Sequence, residues 1–362
     1  GEVVRGMHPD RKTPGNNYGG FVTQSGGEPF PEEGTYPHYL AALAEERMDA
    51  ALAQGVSDGA PLYLQVDFFA PHQPFMIPGE LRSRFEDLRK RVVLPESFYS
   101  ARENDFRRLP GEPRIYWIYR MDTGVYDESA MRDYIALNIL QMEVLDRAIG
   151  KVLAALAERG LYDDALVILA ADHGEMNGEK ALVDKGVYGH PKTARVPLVV
   201  KPPSPLEKAA TVCAPVSLLD IAVTILDAAG VTTGARLDGW SLMPLINGAA
   251  DEAPWNERVF LYEAFWHIAP NPAVAMQWRK SDDEHYFYVA NLCDDCDELY
   301  DLNTAAHENL IGDSSFEDIR RIMILRMNDF LRSDERWRCY MFPFRMAHAD
   351  VLPQEEGDLQ MF

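Results

Sequence analysis

From Ala165 to Ala171 the chain is apolar at every position, and the run stops at Asp172-His173-Gly174-Glu175. No polar residue alternates with the apolar ones, so the pattern predicts a strand covered on both faces, as in a parallel α/β sheet. Ligands in such sheets gather beyond the carboxyl ends of the strands, where Asp172 and His173 would stand. The competing reading is structural, an aspartate at a strand end capping the next turn. Upstream, Ile135, Ile139, Met142, Leu145, Ile149, Val152 and Leu156 recur at the helical period, which predicts a helix over 129–159 stopped by Gly160. A long helix feeding a buried strand is the αβ half of a βαβ unit.

The rest of the pattern is weaker. Residues 1–35, rich in Gly, Pro and polar side chains, read as loop. A helix over 36–54 would bury Leu40, Leu43, Met48 and Leu52. A strand over 62–69 breaks at Ala70-Pro71-His72-Gln73-Pro74, where two prolines fix the backbone around one histidine. Residues 76–128 mix charge, proline and aromatics and read as a long surface excursion. A strand over 196–200, a helix over 217–229 and a turn-rich stretch over 230–248 follow. Beyond residue 250 the character changes: antiparallel strands over 259–265, 273–279 and 285–290, and a helix over 316–332 covering that sheet. The tail from 335 carries aromatics and Met without periodicity and is expected to pack as an extended strap. The expected division is an α/β domain over 1–250, a small α+β subdomain over 251–334 and an extension over 335–362.

Composition narrows the partners. Thirty-five Lys and Arg against 57 Asp and Glu leave a net charge of −22 in 362 residues, which excludes a nucleic-acid backbone as partner. Acidity does not exclude a small anion, because a metal and a few cations can reverse the field inside one pocket. No apolar run reaches membrane-span length. Gly1-Glu-Val-Val-Arg5 resembles neither a signal peptide nor a natural start, so a truncated or processed N-terminus is expected and the compartment stays open. Of the four cysteines, Cys293 and Cys296 form one C-x-x-C with no second pair to complete a zinc site, and Cys213 and Cys339 stand apart.

The motifs, in order, are F-F-A-P-H-Q-P-F over 68–75, L-D-R-A-I-G-K-V-L over 145–153, A-D-H-G-E over 171–175, Lys185, and R-V-P-L-V-V over 195–200. Later come V-S-L-L-D-I-A-V-T over 216–224, D-G-W-S-L-M-P-L-I-N-G over 238–248 and E-L-Y-D-L over 298–302. Together they resemble the sulfatases of the alkaline-phosphatase superfamily across residues 36–332. The resemblance implies a mixed, largely parallel central sheet between helices, with a small C-terminal antiparallel sheet plus helix.

It also implies roles. Asp172 and His173 match metal ligands, His72 the leaving-group histidine, and Lys185 the lysine that reaches the non-bridging oxygens of the bound anion. Lys180 stands where many relatives place a histidine and is a substrate-binding candidate. His190 is another, with packing near Arg195 as its alternative. The chemistry is consistent: carboxylate and imidazole suit a divalent cation, Ca²⁺ first and Mg²⁺, Mn²⁺ or Zn²⁺ also compatible. An imidazole can donate to a departing oxygen, and an ammonium stabilises charge as the bond breaks. Many sulfatases carry Asn at the position of His173, so the metal is left open.

Two family features are missing from the sequence: the C/S-x-P-x-R segment whose Cys or Ser becomes formylglycine, and an N-terminal pair of Asp ligands. Cys213-Ala-Pro-Val-Ser217 ends in Ser where the motif needs Arg, so Cys213 reads as structural. The expectation is a sulfatase-type hydrolase, incomplete in this chain, with formylglycine in a segment outside it. Its substrate would be an anionic small molecule or sugar sulfate ester, with no nucleic acid and no membrane span. Loss of the opening strands would expose a sheet edge and favour a homo-oligomer. Two alternatives remain: a phosphonate monoester or phosphodiester hydrolase of the same superfamily, and a non-catalytic truncated homologue.

Overall fold

The computed structural model describes residues 2–3, 18–23, 30–54, 61–203, 211–248, 253–259, 262–266, 269–304 and 308–353. The expected boundary at 250 and the end of the tail lie outside them, as does most of the N-terminal loop. The longest element is α5, Glu128–Glu158, capped by the Asp127 carboxylate, which accepts the Ala130 N–H at 2.8 Å. Its stop is as expected, with Gly160 at φ +66°.

Its buried face differs from the expected stripe. Leu137, Leu140, Val144 and Ala148 are buried, whereas Met142 is exposed and Ile135, Ile139 and Ile149 are half-buried. The reason is the partner. α1, Tyr36–Ala53, packs along α5 and buries Ala41 and Ala44, whose small side chains let the two axes approach, together with the larger Met48. Leucines 40, 43 and 52 therefore flank the contact, and Leu52 is exposed.

Residues 76–128 are not a surface excursion. They contain β3 (Phe75–Pro78), α2 (Arg82–Arg91), α3 (Glu96–Glu103) and α4 (Arg114–Thr123). Phe85, Phe98, Tyr116 and Tyr119 are fully buried there. One or two apolar residues per turn suffice to anchor such short helices, each large buried side chain contributing about 1.5–3 kcal/mol. β1 (Glu2–Val3) pairs antiparallel with β2 (Gly19–Thr23), and β2 pairs parallel with β3. Phe21, Phe75, Ile77 and Phe85 join Met131, Tyr134 and Leu137 of α5 in one core.

The apolar strand is shorter and less covered than its sequence predicts. β4, Val167–Ala170, pairs antiparallel with β5, Leu198–Lys201, and Leu169 and Val199 face each other across the ladder, 43% and 59% exposed. Residues 62–69 alternate in exposure, as a strand would, and form no ladder among the described residues. The class is mixed α/β as expected, and the one parallel pair among the described strands is β2 with β3.

The C-terminal sheet matches its pattern. β6 (Tyr262–Trp266), β7 (Pro270–Arg279), β8 (His285–Asn291) and β9 (Glu298–Asp301) form an antiparallel meander. Helix Glu317–Arg332 covers it with Met323, Ile324, Met327 and Leu331. The tail is not an extended strap: residues Arg338–Ala347 form a helix whose Phe344 enters the same core. No helix among the described residues is long and apolar enough to cross a membrane.

Candidate active site

His72 sits in a loop between two cis prolyl bonds, Ala70–Pro71 and Gln73–Pro74. Its ring Nδ1 lies 2.6 Å from the Gln73 carbonyl, and its Nε2 lies 2.6 Å from Lys185 Nζ. A carbonyl can only accept, so Nδ1 carries the proton and Nε2 accepts from the lysine ammonium. Two residues 113 positions apart are thereby joined. The His173 ring stands edge-on to His72, centroids 6.1 Å apart.

Lys185 is delivered by a tight loop, residues 177–184, packed under Leu182 and Val183, both fully buried. Its backbone is left-handed at Asn177, Lys180, Ala181 and Asp184, none of them glycine. Asp184 Oδ1 accepts the Lys185 N–H at 2.6 Å and faces its ammonium at 3.4 Å, while Oδ2 accepts from Gln73 Nε2 at 3.2 Å. Burial raises the Asp184 carboxyl, but the Lys185 amide, the Lys185 ammonium and His72 outweigh it and hold it below the usual range. Glu175 accepts the Asp184 N–H at 2.5 Å. Burial, with Asp184 adding repulsion, pushes the Glu175 carboxyl up to about 7.

The other candidates separate into two groups. Asp172 is 89% exposed at its side chain and takes the His173 N–H at 3.0 Å. His173 Nδ1 donates to the Gly174 carbonyl at 2.8 Å, which leaves the Nε2 lone pair facing outward, 3.7 Å from Asp172 Oδ2. Two neighbouring donors do not enclose a cation, and no set of three or more His, Cys, Asp or Glu among the described residues does so. Lys180 and His190 lie in a different cluster. The Lys180 ammonium stands 5.1 Å from the Tyr116 ring centroid. His190 is fully buried, with its ring against Tyr116 and Tyr300 and its Nδ1 accepting the Lys192 N–H, which is packing and capping geometry. There the buried Glu298 accepts from Tyr116 and Tyr300 and from Asn291, tying α4 to the C-terminal sheet. Cys213 is exposed, not a packing residue, and the Cys293 and Cys296 thiols are free.

Sequence reasoning missed Glu175, Asp184 and Gln73. Gln73 and Asp184 adjoin His72 and Lys185, and Glu175 closes the A-D-H-G-E motif two positions past His173; that proximity was the available signal.

The Sulfatase family profile matches residues 9–231, and the profile described as N-sulphoglucosamine sulphohydrolase, C-terminal, matches residues 178–333. An uncharacterized sulfatase, YidJ, from Escherichia coli is 26% identical over 314 residues, covering 84% of this chain and 58% of that protein. The phosphonate monoester hydrolase SpPMH from Silicibacter pomeroyi superposes with a TM-score of 0.62 at 20% identity, over 87% of this chain and 65% of that one. BT4656, solved with D-glucosamine-2-N,6-O-disulfate, superposes with a TM-score of 0.61 at 16% identity, over 88% of this chain and 71% of that one. These two likenesses establish a shared fold, and the chain spans less than three-fifths of the length of curated relatives such as YidJ, and 38% of an N-acetylglucosamine-6-O-sulfatase from Bacteroides thetaiotaomicron. With one profile alone spanning more than half its residues, the chain belongs to the sulfatase family.

Proposed function

We propose that this chain carries the leaving-group and anion-binding half of a sulfuric ester hydrolase. The observation that supports the reading best is the 2.6 Å contact between His72 Nε2 and Lys185 Nζ. The ammonium offers an entering oxyanion its donors, and the imidazole adds one at Nε2 only when that nitrogen also carries a proton. Lys185 would neutralise charge on the non-bridging oxygens, and His72, its Nδ1–H held by Gln73, would donate from Nε2 to the departing oxygen in its doubly protonated form. Asp172 and His173 would supply two ligands of the divalent metal that sulfatases generally use, with Ca²⁺ the expected ion. Bound, such an ion supplies Lewis-acid neutralisation of charge at the ester. The 362 residues hold no C/S-x-P-x-R sequence, so the nucleophile in this reading, expected as formylglycine, comes from another segment.

A second reading, phosphonate monoester or phosphodiester hydrolysis, is favoured by His173 standing where many sulfatases carry Asn. Side-by-side hydrolysis of an aryl sulfate and an aryl phosphonate monoester tests the two, using the protein co-expressed with a C/S-x-P-x-R segment. The sulfate should be turned over faster, and Lys185→Ala should abolish the difference from background. Turnover of the phosphonate alone would reject the first reading. The isolated chain should hydrolyse neither.

A further inference from the structure

We propose that Glu175 is the positioning residue of this site: its carboxyl fastens both ends of the loop 177–184 and thereby holds Lys185 against His72. The proposal rests on reading His72 and Lys185 as the anion-binding pair. One oxygen, Glu175 Oε1, accepts the Asn177 N–H at 3.4 Å at the start of the loop and the Asp184 N–H at 2.5 Å at its end. Between them the backbone is left-handed at Asn177, Lys180, Ala181 and Asp184, with φ of 44°, 53°, 60° and 69°. Such conformations persist for non-glycine residues only where surrounding contacts over-determine them. Asp184 is the residue through which the fastening acts. It orients Lys185 through the backbone amide and the ammonium, and it reaches Gln73, whose carbonyl fixes the His72 ring. A shift at Glu175 therefore moves both partners of the pair.

The test uses Glu175→Gln, Glu175→Asp and Glu175→Ala in the full chain, with amide hydrogen exchange at Asn177 and Asp184 and the affinity for inorganic sulfate as readouts. Glu175→Gln keeps an acceptor oxygen and should preserve both protections, with sulfate affinity within about twofold. Glu175→Ala should lose both protections and weaken sulfate by about tenfold, while amides of the helix Glu128–Glu158 exchange as before. Glu175→Asp, one methylene short, should fall between them and decides the matter if the alanine protein does not fold. Unchanged protection at Asp184 in a folded alanine or aspartate variant overturns the proposal, as does a glutamine variant as impaired as alanine. Absence of sulfate binding in the unaltered chain would count against the anion-site reading instead, and the exchange comparison would then decide the role of Glu175 by itself.

Discussion

His72 and Lys185 act on one another because each has its other freedom removed. The Gln73 carbonyl accepts from His72 Nδ1–H, and Asp184 holds the lysine from behind. Both residues are legible in the sequence, through the order of motifs around them. Glu175 and Asp184 are not, because a carboxylate in a polar stretch has no periodicity, and only the folded loop makes it a backbone acceptor. Asp172 and His173 are equally legible as donors, yet their number sets a limit. Ca²⁺ takes about six to eight oxygen ligands, so two side chains should bind it no tighter than roughly millimolar. Calorimetric titration with Ca²⁺ checks this, and micromolar affinity that survives Asp172→Asn would show that other ligands hold the ion.

At the scale of elements, periodicity locates the long helices but neither the short ones nor the buried faces. The helix Glu128–Glu158 ends as expected, but its buried side follows α1, which the sequence of α5 does not encode. Likewise 76–128 looked polar because short helices need few anchors, and Phe85 and Phe98 were among them. The tail helix Arg338–Ala347 was hidden by Pro343, a residue disfavoured inside helices. What holds it is specific. His348, just past its end, joins Asp297 at 2.6 Å and the buried Tyr288 hydroxyl at 2.8 Å. Replacing His348 with Ala strips a partner from two inward-facing polar groups and should cost about 1–3 kcal/mol. Chemical denaturation measures it, and a loss below the error of the fit would make the clasp incidental.

For the whole molecule, the surface around β4 and β5 stands out. Leu169 and Val199 face outward as a cross-strand pair, and a cavity beside them is lined by Tyr63, Gln65, Ala170, Asp172, Leu218 and Ile221. Exposed apolar strand surface favours association, so the chain should self-associate at high concentration, and Val199→Lys should reduce it in sedimentation velocity. A concentration-independent monomer would contradict this. Stability should also depend on pH through His285. Burial, aided by Arg195 and Arg279, pushes its pKa down to about 4 from 6.5. The folded state thus favours the neutral ring: the contribution is whole above pH 6.5 and is lost as pH falls from there toward 4. His285→Gln should lose less melting temperature between pH 7 and pH 5 than the unaltered chain, and equal losses would remove His285 from the account.

The central claim is that His72 and Lys185 form one oxyanion site, and calorimetric titration of inorganic sulfate into the chain and its Lys185→Ala variant tests it directly. Saturable one-to-one binding that weakens by at least about tenfold in the variant is expected for loss of a charge-assisted hydrogen bond. Sulfate binding of equal strength in both proteins would contradict it.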